Sequence, residues 1–153
     1  MDYAIIKTLH IVSSTLLFGT GLGTAFFMWQ ANRSKDVAAI AHTAKRVVLA
    51  DWLFTLPTVV IQPASGYALM ILAGLPLTGW IAWSLGLFAL AGLCWLPVVW
   101  LQIRMHKLAA EAQTTQSPLP PIYWSYARTW TLLGIPAFSA MIVVFFLMVA
   151  KPF

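Results

Sequence analysis

Charge is what this sequence has least of. Asp, Glu, Lys and Arg make up 8% of its 153 residues, against about 25% in an ordinary soluble domain. A chain so poor in charge cannot clothe a water-facing surface, and this excludes a soluble globular protein. Cysteine is nearly absent as well. The single Cys94 excludes an intrachain disulfide and a thiolate-built metal site. Its place within an apolar run reads as that of a small buried residue. Acidic residues are scarce, four against nine Lys and Arg. In a membrane chain that excess orients loops rather than binding phosphates, so no nucleic-acid partner is expected. Repeats and low-complexity linkers are missing too, and a single domain over 1–153 is expected.

What fills the chain instead is apolar: 61% of residues are hydrophobic. Four stretches, at about 3–29, 47–74, 79–103 and 129–150, reach the roughly 20 residues that a spanning helix needs. The expected fold is therefore an all-α membrane protein, an antiparallel bundle of four transmembrane helices in a lipid bilayer. The first stretch lacks a basic flank and a small-residue cleavage site, so it reads as a span rather than a signal peptide. Arg33, Lys35, Lys45 and Arg46 surround the first connection, and Arg104, Lys107 and Arg128 surround the third, whereas "LPLTG" between them is uncharged. By the positive-inside rule both charged connections are cytoplasmic. Both termini then lie on the periplasmic side of a bacterial inner (cytoplasmic) membrane. The shortness of "LPLTG" predicts that spans two and three are neighbours. "DVAAIAHTAKR" and "HKLAAEA", rich in helix formers, extend spans two and three beyond the membrane, and "SPLPP" ends the latter.

Trp29, Trp52, Trp100, Trp124 and Trp130 mark one border and Trp80 and Trp83 the other, as in an aromatic belt. Trp95 lies deeper. Gly19 and Gly23 form a small-xxx-small pair, which predicts close helix packing. In span two, Asp51, Thr55, Thr58, Gln62 and Ser65 follow at steps of four, three, four and three. That spacing puts all five on one helix face. In hydrocarbon such a face must turn inward. It serves as interhelical hydrogen bonding or as the lining of a cofactor, ligand or proton route. Asp51 is expected to pair with Arg46, Arg104 or Arg128, because buried charges are usually compensated. Pro57 and Pro63 release backbone carbonyls and bend the helix.

His10 is the one histidine inside a span, about 10 Å along its helix from Tyr3. Lys7 precedes it at i−3 and Ser14 follows at i+4. His42 and His106 lie toward the other border, too far to share a metal, so a polyhistidine zinc site and a His/Asp/Ser triad are both unsupported. Two readings stay open: an interhelical hydrogen-bonding His, or an axial ligand of haem iron. In the second, Lys7 and Lys151 meet the propionates, Gln62 lines the site, and Met70, Met148 or water supplies any further ligand.

"KTLHIVSS", the Pro- and Gly-bearing second span, Arg128, Pro136 and the ending "VAKPF" resemble the HemJ-type protoporphyrinogen oxidases and the wider CopD-like membrane proteins. "LHIVSSTLLFGTGLGTAFFM", "VVLADWLFTLP", "LPVVWLQIRM" and "YWSYARTW" more closely resemble an uncharacterised family of predicted four-helix integral membrane proteins, over nearly the whole chain. The HemJ resemblance implies haem b with His10 as its ligand. That pattern has a Lys after "GW", where this chain carries Ser84. It also has an Arg late in span one and an Asn-Glu pair in span four, neither of which is present. The leading expectation is a small haem-b-binding membrane protein, redox-active with quinone or a membrane redox partner, and a homo-oligomer is compatible with it. The alternatives are a non-enzymatic module binding a partner helix or lipid, and copper handling by His10, Met70 and Met148.

Overall fold

The computed structural model describes residues 2–77 and 79–152. They form α1 (Tyr3–Ser34), α2 (Val37–Ala50), a π-helical turn (Asp51–Thr55), α3 (Leu56–Leu72), α4 (Trp80–Thr114) and α5 (Pro121–Ala150). The α2–π–α3 run is continuous, so four helices are long and apolar enough to cross a membrane. Among the described residues there is no strand.

The helix ends follow from local chemistry. Asp2 and Asp36 are N-caps whose carboxylates accept from the Ala4 and Ala38 N–H groups, at 3.2 and 3.0 Å. Lys35 takes the left-handed conformation (φ 56°) and turns the chain straight into α2. Pro120 and Pro121 open α5, where a missing N–H costs nothing. Helix formers carry α4 on to Thr114.

Even traversal puts both termini and the α3–α4 connection at one end, the terminal end. The other two connections lie at the opposite, two-loop end. The packing differs between the ends. At the two-loop end all four spans contribute to one core of Met28, Ile40, Val47, Leu101, Met105 and Tyr123, each nearly inaccessible. Tyr123 there donates its hydroxyl to Asn32 Oδ1 at 2.6 Å. At the terminal end the core is small: Ala91, Ala140 and Met141, with Phe18 edge-on to Phe138 and Phe145.

Three expectations are corrected here. First, spans two and three are neighbours only toward the two-loop end: α2 packs on α4, whereas α3 packs on α1 and barely approaches α4. The connection spans 73–79 because α3 ends at Leu72, and seven residues can bridge about 23 Å. Adjacency along the whole length of the two spans is therefore not forced. Second, Gly19 and Gly23 make no close approach: a Cβ at either would meet nothing within 4 Å. Gly21, against Phe138, and Gly66, against His10, are the glycines that permit contact. Third, Trp130 lies in the two-loop-end core, whereas Trp29, Trp52, Trp83 and Trp100 face outward as a belt requires.

Candidate functional site

The inward seam of α3 meets α1 at His10. Ser65 Oγ donates to the Ile61 carbonyl at 2.6 Å, a bond typical of a helical serine. Its one proton committed, that oxygen accepts from His10 Nδ1–H at 2.8 Å. The network thus puts a proton on Nδ1 and leaves Nε2 as the free ring nitrogen. Nε2 faces the Gln62 side-chain N–H at 3.5 Å, the long limit for a hydrogen bond. Gln62 Oε1 accepts from Ser13 Oγ, which also lies 3.0 Å from the His10 carbonyl. Gly66 lets the ring lie on the α3 backbone: a Cβ there would come to 3.2 Å from His10 Cε1. The result is a line of donors and acceptors, Ser65–His10–Gln62–Ser13, joining the two helices within hydrocarbon.

The other expected site residues fall in different places. Ser14 donates to the Ile11 carbonyl at 2.7 Å, within its own helix, and takes no part in the line. The serine that joins is Ser13, 2% exposed. Lys7 and Lys151 are both exposed at the terminal end, but each lies over its own aromatic ring, Tyr3 at 5.9 Å and Trp80 at 5.8 Å. Met70 and Met148 are half-buried at the same end, on α3 and α5. Ser65 belonged to the periodic seam. Ser13 could have been found as the i+3 neighbour of His10, and nothing in the sequence marked Gly66.

The seam's second half lies at the π-turn. Asp51 is buried, its Oδ1 accepts from Thr55 Oγ1 at 2.8 Å, and its Oδ2 has no partner. The expected arginine pair is not formed: Arg46, Arg104 and Arg128 are all exposed, with Arg104 over the Trp100 ring at 5.9 Å. A guanidinium at the border gains more from water and headgroups than from entering the bundle. Among the described residues no group of three or more His, Cys, Asp or Glu gathers to hold a metal ion.

A family model described as predicted integral membrane protein, DUF2269, matches residues 4–152. The chain belongs to that family. DUF2269 membership agrees with the four spans and extends over both halves of the polar seam. No curated protein and no solved structure matches the chain.

Proposed function

We propose that this integral membrane protein binds one haem b at the terminal end of its bundle, with His10 Nε2 as axial ligand, and exchanges electrons with a quinone or a membrane redox partner. The observation that carries the reading is the hydrogen bond from His10 Nδ1–H to Ser65 at 2.8 Å. A metal-ligating histidine characteristically has one ring nitrogen held by such a neighbour and the other lone pair presented to the metal. The group displaced would be the Gln62 amide, whose 3.5 Å contact is the weakest link in the line. Gly66 fixes the ring plane from behind. Lys7 and Lys151 are cations at the right end for propionates. In that half α3 barely approaches α4, and Phe18 of α1 packs on Phe138 and Phe145 of α5. Bound there, haem b supplies one-electron chemistry. The chain's own residues orient the imidazole and hold its tautomer.

A second reading is favoured by the same line taken as complete in itself. Ser13, His10, Gln62 and Ser65 satisfy one another, so they can serve purely to fasten α1 to α3 in a module that binds a partner helix or lipid. The test is expression with ample haem supply and a pyridine haemochrome assay of the purified protein. The haem reading expects stoichiometric haem, its loss in His10→Ala with helicity retained, and a shifted Soret band in Ser65→Ala. A colourless wild type would overturn it. Stoichiometric copper in that colourless protein would favour copper handling, and its absence would favour the fastening module.

A further inference from the structure

Away from His10, the π-turn and α4 border a partly open pocket of about 30 Å³, lined by Val48, Asp51, Trp52, Trp95, Val99 and Gln102. That volume is about one water molecule's share of the liquid. Its walls are mostly apolar, but the Asp51 carboxyl faces the Trp95 indole and the Gln102 amide there, and the Asp51 Oδ2 and Trp95 Nε1 atoms make no hydrogen bond of normal geometry. Asp51, 6% exposed, has Oδ2 unpaired, and the buried Trp95 Nε1–H is unpaired as well. An acceptor without a donor and a donor without an acceptor line the same small space. Each is costly in hydrocarbon unless something joins them.

The pair selects its own ligand. A cation is disfavoured, because the Trp95 N–H can only donate and Asp51 is the one carboxyl on the walls. An anion is disfavoured by the Asp51 carboxyl. We propose that the π-turn pocket is a binding site for a single neutral hydroxyl group, which accepts from Trp95 Nε1–H and donates to Asp51 Oδ2. Water satisfies this within the pocket's volume. The hydroxyl of a membrane-dissolved alcohol has the same chemistry and a route in, since the rim residues Trp52 and Leu56 face lipid where α3 leaves α4. The π-turn itself fits the assignment, as such widened turns recur at functional sites. The inference stands independently of haem at His10.

The experiment uses the full chain in lipid nanodiscs with isotope-labelled tryptophan, the Trp95 indole resonance being assigned through Trp95→Phe. The expected result is magnetisation transfer from water to the Trp95 N–H, lost in Asp51→Leu. If the natural occupant is a membrane alcohol, added n-octanol shifts the Trp95 resonance in the wild type and not in Asp51→Leu. The Trp130 indole is also buried without a partner but lies outside the pocket, and it should stay unmoved in either case. Should Asp51→Leu fail to insert, Asp51→Asn keeps the shape and must still move the Trp95 resonance, because it alters the group facing the ligand. A Trp95 N–H that receives nothing from water or octanol, and that is indifferent to position 51, would overturn the proposal.

Discussion

Position 66 is where a single hydrogen atom sets the geometry of the α1–α3 line. A methyl group added there must push the His10 ring away by a few tenths of an ångström, because the ideal Cβ sits 3.2 Å from Cε1. The ring cannot yield freely, being tied to Ser65 on one side and Gln62 on the other. Gly66→Ala is therefore expected to destabilise the protein by about 1–3 kcal/mol, the usual cost of overpacking. Gly19→Ala, with open space around its Cβ, should be neutral or gain up to about 1 kcal/mol from helix propensity. Thermal unfolding of both variants in one detergent decides the matter, and equal effects would contradict the placement of His10 on α3. The contrast also marks how far sequence can be read at this scale. His10, Asp51 and Gln62 stand out because a polar atom in hydrocarbon demands a partner. A glycine carries no such demand, so its neighbours decide whether it matters: the conspicuous pair Gly19 and Gly23 faces open space, and the inconspicuous Gly66 carries the contact.

For the elements, the decisive feature is the widened turn before Pro57. In a regular helix the proline ring collides with the carbonyl four residues earlier, here that of Leu53, and has no N–H to offer it. The chain relieves this by opening one turn, so that the Leu56 N–H bonds to the Asp51 carbonyl five residues back. The proline's disturbance of the helix was legible beforehand, but its form was not, because a kink and a π-turn relieve the same collision. A strict α-helix would put Asp51 on the face of Gln62 and Ser65; across the widened turn Asp51 stays buried but meets Trp95 and Gln102 of α4, while Gln62 and Ser65 meet His10 of α1. Pro57→Ala is expected to close the turn, rotating Asp51 by about 100° relative to α3, one residue's worth of helix. The Trp95 indole resonance should then move, since Asp51 leaves its pocket, while the His10 ring signals, set by α3 beyond the proline, should not. A spectrum unchanged at Trp95 would show that α4, not Pro57, imposes the π-turn.

In the whole molecule, the charges divide by end as their places in the sequence suggested. Seven of the nine Lys and Arg residues (Arg33, Lys35, Lys45, Arg46, Arg104, Lys107 and Arg128) lie at the two-loop end, all exposed, and only Lys7 and Lys151 lie at the other. Several of the seven sit on helices rather than in loops, because α1 continues to Ser34 and α2 begins at Val37. The orienting bias concerns basic residues near the ends of spans, so this does not weaken it. The tightest packing is at the same end, where the core of Met28, Ile40, Met105 and Tyr123 holds all four spans together. The expected orientation puts that end in the cytoplasm and both termini outside. Ser34 and Leu77 report on it, since both are exposed and they lie at opposite ends. In a Cys94→Ala background, Leu77→Cys should react with a membrane-impermeant maleimide on intact cells, and Ser34→Cys should react only after the membrane is opened. Permeabilised cells label both sites if the variants are folded and inserted, so poor expression cannot imitate shielding. Rapid labelling of Ser34→Cys on intact cells, with Leu77→Cys protected, would turn the molecule over and place the His10 half of the bundle toward the cytoplasm.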